Sequence, residues 1–457
     1  MADHDGTLVM ASDPEFTLDA DRTVTADARK AKAVDVRTEE PTARLAVGML
    51  GMLQLVEGRQ PFGVDVDLAG MWGADRVEGI KAIPTTRTAS KKFAFYRWTQ
   101  WAKPKGDGSY DDSPYFYHLM KAEPRIPADP GYRPRRRDLA QVTSTYATQN
   151  DVKFGEHFAL PVLYGTELAW MPYGQVSRFA LPFHRTEYYT PGDTGWYPSF
   201  IQYRTPPDGW NDTDQFFFGH TTVYRAGQKT DDRWNTGVFA AALDPRGDYN
   251  WREENLLQFS AGLFEDGTPD RISYGEYVAP QARLYRDGKE IYATDYLPGT
   301  IEVPAETKES DYRFTMTADR VPTQTKVSTK VSAEWRFRSK TPAPGRRQVL
   351  PLLTVKIDPE LDDRNRAAVG HLRIPLRVQR QDGSPELKLR TLTVEISYDD
   401  GRTWLPTLVH PSAQDAWSAE TWHPVSARGK FASLRVKAAD TGGNGFAETV
   451  IRAYQVK

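Results

Sequence analysis

The sequence of 457 residues contains no cysteine, which excludes disulfides, thiolate metal sites and a cysteine nucleophile. No apolar run approaches the roughly 18 residues of a membrane-spanning helix. The formal net charge is −2, so the chain as a whole offers no electrostatic basis for binding nucleic acid or an anionic membrane surface. We therefore expect neither a membrane span nor a nucleic-acid partner.

Several motifs that carry chemistry are also missing. The histidines form no H-x-x-x-H or H-E-x-x-H pair, and neither a G-x-S-x-G elbow nor a Walker loop occurs. What the sequence has instead is 22 Tyr, 20 Phe and 12 Trp, together with 34 Gly and 32 Pro. Aromatic strands between frequent turns are typical of an all-β protein, and the length exceeds what one core holds. We predict an all-β chain of two or three β-sandwich domains, the last immunoglobulin- or fibronectin-III-like.

Composition shifts divide the chain into five segments. They are 1–45, N-terminal strands joining the first β-domain; 46–150, an irregular segment or insertion rich in aromatic residues, Pro and Gly; 151–340, a β-sandwich or jelly-roll-like domain; 341–347, a linker; and 348–457, an immunoglobulin- or fibronectin-III-like sandwich. The linker is predicted because Pro342, Pro344 and Gly345 interrupt regular structure. The last segment is predicted from six or seven strand-like runs in about 110 residues.

Two local patterns predict particular elements. Ala46 to Val56 is the most apolar run of the chain, and it suits either a buried strand or one short helix. Asp287-Gly288 lies between two strand-like runs, which indicates a β-hairpin with a two-residue turn.

The stretch Ser397-x-Asp399-x-Gly401-x-Thr403-Trp404 fits the Asp-box pattern S-x-D-x-G-x-T-W. An Asp carboxylate accepts backbone N–H bonds inside such a turn, Gly supplies a positive φ, and the Trp packs under the hairpin. Asp boxes occur in sialidase-type propellers, but this sequence contains one copy and no repeat of fixed period. We interpret it as a structural turn.

A second stretch is rich in oxygen ligands. Asp358, Glu360, Asp362, Asp363 and Asn365 lie within eight positions and offer the hard oxygens that calcium prefers. The order of an EF-hand loop is lacking. The stretch therefore has two interpretations, a solvated turn or a structural calcium loop, and no other cofactor is expected.

Aromatic and basic residues of the predicted loops suggest two further kinds of contact. Tyr110, Tyr115, Tyr117 and Trp210 would stack on sugars or peptides if they were exposed. The basic run Tyr132 to Arg137 is predicted to be a solvated loop rather than a phosphate-binding surface, because no basic stripe accompanies it.

The C-terminal stretch Leu434 to Lys457 resembles the end of large secreted subtilisin-like serine proteases of actinobacteria. In that family a strand and turn of the type SLRVKAxDxxGN precede a terminal IRAY strand. Val394 to Trp404 and Val24 to Val36 are also similar to stretches that follow the protease domain there. The matching stretches cover about a quarter of the chain.

The catalytic motifs of the family are missing from this sequence. No H-G-T-H and no G-T-S-M-A segment occurs, and Asp440-Thr441-Gly442, which has the letters of the Asp motif, lies in a predicted turn near the chain end. Nucleophilic hydrolysis can therefore be assigned to no residue. The resemblance implies the non-catalytic region of an extracellular protein, made as part of a longer precursor because no signal peptide is recognisable here.

These observations give a leading hypothesis and two alternatives. The leading one is an accessory region of a secreted subtilisin-like serine protease, acting in stability, positioning or recognition of a protein or cell-wall substrate. Its partners would be the protease domain of the same precursor or that substrate. The alternatives are a carbohydrate-binding β-protein, lectin- or sialidase-like, and an independent glycosidase with paired carboxylates.

Overall fold

The computed structural model describes most of the chain. The described residues are 7–14, 19–54, 62–69, 79–85, 92–149, 154–163, 166–167, 177–204, 212–244, 249–269, 271–321, 325–413 and 415–457. The predicted all-β class is confirmed, since no described helix reaches seven residues. The helical segments are short 3-10 turns at Ala28–Lys30, Arg136–Asp138 and Val425–Ala427. None of the helices in these ranges is long and apolar enough to cross a membrane.

Two seven-stranded sheets dominate the N-terminal half. The first, here the mixed sheet, has the order Lys229–Trp234, Ala140–Tyr146, Phe183–Tyr189, Tyr115–Glu123, Phe93–Ala102, Arg44–Gln54 and Phe62–Ala69. The second, here the aromatic sheet, has the order Thr166–Glu167, Phe154–Leu163, Gly195–Arg204, Asp212–Phe218 and Ile272–Gly275, with Arg178–Ala180 and Thr222–Val223 paired at its side. A small sheet joins Val9–Met10, Lys81–Ala82 and Lys32–Ala33.

A nine-stranded sheet, here the long sheet, dominates the C-terminal half. Its order is Lys289–Thr294, Tyr277–Arg286, Ser310–Arg320, Lys330–Ser339, Gly445–Val456, Phe431–Asp440, Leu389–Ser397 and Leu405–Pro406, with Arg366–Ala367 paired to Gly445–Val456. The cover sheet has the order Leu353–Ile357, Gly370–Arg380, Ala416–His423 and Leu408–Ala413. Two smaller sheets join Ala240–Leu243 to Ala261–Glu265, and Thr300–Glu302, Leu256–Gln258, Trp251–Glu253 and Arg347–Val349 in that order.

The mixed and aromatic sheets pack face to face. Val47, Trp98 and Val142 of the mixed sheet share one buried cluster with Leu160 and Trp196 of the aromatic sheet. Aromatic side chains of this size bury large apolar areas and dominate the energetics of such a core. The two sheets therefore form a sandwich whose interior is largely aromatic.

The segment 46–150 is more regular than the sequence predicted. The apolar run after Ala46 forms part of the strand Arg44–Gln54, which decides between the two readings of that run. Arg44–Gln54 and its neighbour Phe93–Ala102 are paired over nearly their whole length. Phe93–Ala102 is buried at almost every position. A strand that is covered on both faces loses the apolar–polar alternation by which strands are recognised.

The predicted boundary at 341–347 does not separate two sheets. Lys330–Ser339 before it pairs with Gly445–Val456 after it, from Lys330–Ile451 to Arg336–Gly445. One hydrophobic core also runs through both sides, since it contains Phe314 and Trp335 as well as Val394 and Leu434. The prolines and glycine of 341–347 mark a local turn, because they break regular structure without determining which strands pair. Residues 151–340 and 348–457 are thus joined in one β-structure.

The predicted hairpin at Asp287-Gly288 is present. Tyr277–Arg286 and Lys289–Thr294 pair as antiparallel strands around it. Both turn residues have positive φ, +49° at Asp287 and +80° at Gly288. A type I′ turn requires this conformation at its two central residues, which explains the choice of residues.

Candidate functional site

The Asp-box turn is held together by its own side chains. The Thr403 N–H donates to Asp399 Oδ1 at 2.9 Å, and the Thr403 hydroxyl donates to Oδ2 at 2.7 Å. The Ser397 hydroxyl donates to Asp399 Oδ1 at 2.7 Å and accepts the Gly401 N–H at 2.9 Å. The hydrogen bonds from Thr403, with that from Ser397, lower the pKa of Asp399 to about 2. Gly401 adopts φ +83°.

Trp404 of the Asp box is half-buried and has contacts with Arg435 and with the turn. The Arg435 guanidinium carbon lies 4.6 Å from the centre of its ring. A Cβ added at Gly401 would lie 3.2 Å from Trp404 Cζ2 and 3.0 Å from Ile451 Cδ1, so the indole closes over the glycine. Arg435 thus already lies over the ring, on which a sugar would have to stack.

The oxygen ligands of the predicted calcium loop turn to different protein partners. Asp362 accepts hydrogen bonds from the Arg364 and Arg366 N–H groups and pairs with Lys457 at 2.8 Å. Asp363 Oδ2 lies 2.8 Å from His184 Nε2. The Asn365 side chain is buried and donates to the carbonyls of Thr148 and Asn235. Its oxygen accepts the Gly237 N–H.

For Asp358, burial raises the pKa of the carboxyl, which disfavours the ionised form that calcium needs. Glu360 is exposed. In the described part of the chain these residues do not form a cluster of converging carboxylates. The stretch therefore has the contacts of a turn that ties the cover sheet to its surroundings.

The aromatic and basic residues singled out in the sequence have structural contacts. Tyr117 is buried and stacks on Tyr188 with ring centres 4.5 Å apart. Tyr110 and Tyr115 are half-buried, and their hydroxyls bond Leu45 O and Thr42. Trp210 lies outside the described residues. In the basic run, the arginines pair with carboxylates, Arg133 with Asp35, Arg135 with Asp138, and Arg136 with Glu40.

Three side chains that sequence spacing did not bring together meet inside the N-terminal sandwich. His118, His157 and Glu187 each offer a ligand atom, and these atoms lie within 4.8 Å of one another. They come from three different strands, two in the mixed sheet and one in the aromatic sheet. Because no two of them are neighbours in the sequence, no local motif predicts that they meet. The donor set, two imidazoles and a carboxylate, is one that zinc accepts.

The surroundings of Glu187 fit a charge network better than a metal centre. Its carboxylate accepts hydrogen bonds from Arg185 at 2.6 Å, Tyr146 at 2.8 Å and Tyr189 at 2.7 Å. Burial opposes its ionisation, but His157 and Arg185 more than offset that cost and hold the pKa of Glu187 well below its usual range. The buried guanidinium supplies the positive charge and would repel a second cation.

His118 completes this network as a neutral group. Burial lowers the pKa of His118 to about 3, so its ring is uncharged at neutral pH. Its Nδ1 lies 3.1 Å from Gln100 Nε2, and its ring stacks on Tyr189 at 4.6 Å. We therefore assign the cluster a structural role in fixing the register of the two sheets.

Another candidate site is an open groove on the outer face of the long sheet, here the polar groove. It has a volume of about 390 Å³. Two rows of paired residues form its base, Gln281–Thr317–Ser332–Thr449–Arg435 and Arg283–Thr315–Glu334–Ala447–Lys437. The middle of the first row carries hydroxyl groups, at Thr317, Ser332 and Thr449. In the second row Glu334 stands between Thr315 and Ala447. Basic side chains stand at three of the four row ends, Arg435, Arg283 and Lys437. The groove crosses five strands that come from both sides of residues 341–347.

The charges of the polar groove are predominantly positive. Arg435 pairs with Glu395 at 2.7 Å, and Arg283 lies 3.6 Å from Glu290. Lys437 is exposed and has no carboxylate within ion-pair distance among the described residues. Glu334 pairs with Arg336 at 2.6 Å and with Arg313 at 3.3 Å. A ligand in the groove would thus meet an unpaired ammonium group and a carboxylate already bound by arginines.

The polar groove lacks the paired carboxylates of a glycosidase. Glu334 and Glu448 are the carboxylic residues among those that line it. Glu448 is 2% exposed, and its Oε2 accepts the Ala241 N–H at 3.0 Å beneath the sheet. One accessible carboxylate in the groove is insufficient for acid–base cleavage of a glycosidic bond, which uses two facing carboxyl groups.

Comparison with protein-family models and with curated proteins found no match to this chain.

Proposed function

We propose that this chain is a non-catalytic recognition region that binds an extended polypeptide segment in the polar groove. In this proposal it serves as the accessory region of a secreted subtilisin-like protease, as the resemblance of its C-terminal strands implies. The bound polypeptide belongs to a protein substrate. The observation that carries the proposal is the open groove itself, lined by hydroxyl groups and by Lys437, which forms no ion pair with a carboxylate among the residues that the structure describes.

The dimensions of the groove suit a short peptide segment. Its five strands lie about 4.8 Å apart, so the groove is about 19 Å wide across the sheet. An extended chain rises about 3.4 Å per residue and covers this distance with roughly six residues. Thr315, Thr317, Ser332 and Thr449 offer hydroxyl oxygens that accept hydrogen bonds along that path.

The aromatic residues near the groove favour a polypeptide over a glycan. Trp404 is covered by Arg435, and the Arg313 guanidinium carbon lies 3.7 Å from the ring centre of Tyr285. Sugar recognition by stacking needs an open aromatic face, and an arginine already lies over each of these rings. A peptide with acidic side chains would instead pair with Lys437 by a charge-assisted hydrogen bond.

The test is selection of ligands from a random library of peptides about ten residues long, displayed on phage. We expect the purified chain to enrich peptides that carry Asp or Glu. Ser332→Arg places a long side chain in the middle of the groove and should abolish the capture of these peptides. Ser412→Arg adds the same side chain at an exposed position of the cover sheet and serves as the matched control.

The outcomes separate clearly. If the wild type and Ser332→Arg captured the selected peptides equally well, the groove would not be the binding site. The non-catalytic part of the proposal is tested with a fluorophosphonate probe, which we expect to leave the chain unlabelled, whereas a stoichiometric serine adduct would contradict it. An in-frame protease domain in the gene would support the accessory role, and an unrelated neighbouring domain would refute it.

A further inference from the structure

A second cavity lies on another part of the molecule, between strands Ala240–Leu243, Ala261–Glu265 and Ile272–Gly275 and the loop at 297–299. We call it the tyrosine pocket. Its volume is about 270 Å³, close to the lower end of the range for small-molecule sites. The size suits one small ring rather than a chain of them.

Two tyrosines of the pocket rim are open to solvent. Tyr274 is 66% exposed, and its ring meets Phe218 edge to face with centres 5.6 Å apart. Tyr277 is 38% exposed and lies 6.4 Å from the ring of Phe264. Each ring is thus anchored against a phenylalanine while keeping exposed surface at the rim. This differs from Trp404 and Tyr285, which arginines cover.

The wall of the pocket contains a buried carboxyl group with unused hydrogen-bonding capacity. Glu265 is 3% exposed, and its Oε2 has no hydrogen-bond partner. Its Oε1 occupies the space where a Cβ of residue 262 would stand, since a Cβ added at Gly262 would lie 1.7 Å from it. Gly262 itself lines the pocket, so the glycine makes room for the carboxyl group at this wall.

The neighbouring polar groups are held in fixed positions. Gln215 donates to the Ser273 hydroxyl at 2.8 Å and accepts from Arg320 at 3.1 Å. The Ser273 hydroxyl donates to Phe264 O at 3.1 Å. These bonds are internal, whereas Glu265 Oε2 has no hydrogen-bond partner among the described residues.

We propose that the tyrosine pocket binds a single sugar residue, whose apolar ring face stacks on Tyr274 and whose hydroxyl group bonds the carboxyl of Glu265. An apolar and aromatic lining with a few placed polar groups is the usual composition of a small-molecule site. Among small rings, a sugar has both an apolar C–H face for the tyrosine and hydroxyl groups for the acid. The inference is independent of the polar groove.

The protonation of Glu265 agrees with this role. Burial raises the pKa of Glu265 above its ordinary value, against the opposing charge of Lys356, with Ser273 and Asp266 as the other groups that act on it. This shift favours the protonated carboxylic acid, which both donates and accepts hydrogen bonds. A sugar hydroxyl does the same, so the two groups match.

The experiment is saturation-transfer difference NMR with a panel of methyl glycosides, namely glucoside, galactoside, mannoside and N-acetylglucosaminide, at millimolar concentration. We expect saturation to be transferred from the wild-type protein to at least one glycoside, which shows that it binds. Tyr274→Ala alters an exposed side chain, so the fold is retained, and it should weaken binding about tenfold or more. Tyr296→Ala, at a tyrosine that is 59% exposed and does not line the pocket, should leave binding unchanged.

Two further variants distinguish this site from the others. Glu265→Gln keeps a donor and an acceptor and should retain binding, whereas Gly262→Ala should lose it by displacing the carboxyl group. Lys437→Glu, in the polar groove, should leave glycoside binding intact. The proposal is refuted if no glycoside of the panel binds, or if Tyr274→Ala binds as tightly as the wild type.

Discussion

Replacing Glu448 by Gln should remove a large part of the pH dependence of stability. Glu448 lies in the strand Gly445–Val456, is 2% exposed, and accepts the Ala241 N–H through Oε2, while its Oε1 has no partner. Burial raises the pKa of Glu448 to about 8, against the opposing effects of the Ala241 N–H and of Lys356. At neutral pH the folded protein therefore holds this carboxyl protonated, and Gln mimics that form.

The magnitude follows from the size of the shift. In the unfolded chain the group titrates near its ordinary pKa of 4.5, and in the folded chain at about 8. Between these values the folded state binds the extra proton, so the contribution of Glu448 to stability is fully present below pH 4.5 and is lost as the pH rises to about 8. At 1.36 kcal/mol for each pH unit, this one group accounts for a loss of roughly 5 kcal/mol.

The assay is urea unfolding followed by tryptophan fluorescence at several pH values from 5 to 8. The difference between the wild-type and Glu448→Gln free energies of unfolding isolates this group, because the other titrating groups are shared. We expect the difference to change by up to about 1.4 kcal/mol per pH unit. Glu302→Gln, at an exposed carboxylate, is the control. Its free energy of unfolding should change with pH in the same way as that of the wild type. If the free energy of unfolding of Glu448→Gln had the same pH dependence as that of the wild type, the reasoning would be refuted.

Three further predictions concern the structural elements. Asp399→Ala should lower the melting temperature in calorimetry and leave peptide capture unchanged, because the carboxylate bonds its own turn; an unchanged melting temperature would contradict this. Arg185→Leu should cost about 3–5 kcal/mol in urea unfolding, since it leaves Glu187 buried without its cation, whereas Arg133→Leu on the surface should cost far less. Calcium followed by EDTA should leave the melting temperature unchanged, because Asp362 already pairs with Arg366 and Lys457; a shift would restore the calcium loop.

The sequence predicted local structure better than the assembly of sheets. Alternation in stretches such as Ser310–Arg320, and the turn at Asp287-Gly288, follow from interactions between near neighbours. Pairing of Lys330–Ser339 with Gly445–Val456 joins residues more than one hundred positions apart, and nothing in the intervening sequence records it. The Pro- and Gly-rich turn at 341–347 therefore led to a domain boundary that the sheet crosses.

The sites were harder to predict for the same reason. The Asp box is a local pattern, so its residues could be named, but the position of Trp404 depends on Arg435 from another strand. The network around Glu187 combines strands of two sheets, and the polar groove is created by five strands side by side. The candidate calcium ligands were adjacent in sequence, yet the distant residues His184 and Lys457 pair with two of them.

The central claim is recognition of an acidic peptide in the polar groove. The most direct test is fluorescence anisotropy with a labelled peptide from the phage selection, titrated with the wild type and with Lys437→Glu at low and high salt. The proposal predicts binding to the wild type that weakens as salt rises, and a loss of about tenfold or more in affinity on charge reversal. Equal affinity of the two proteins for the peptide, without salt dependence, would contradict it.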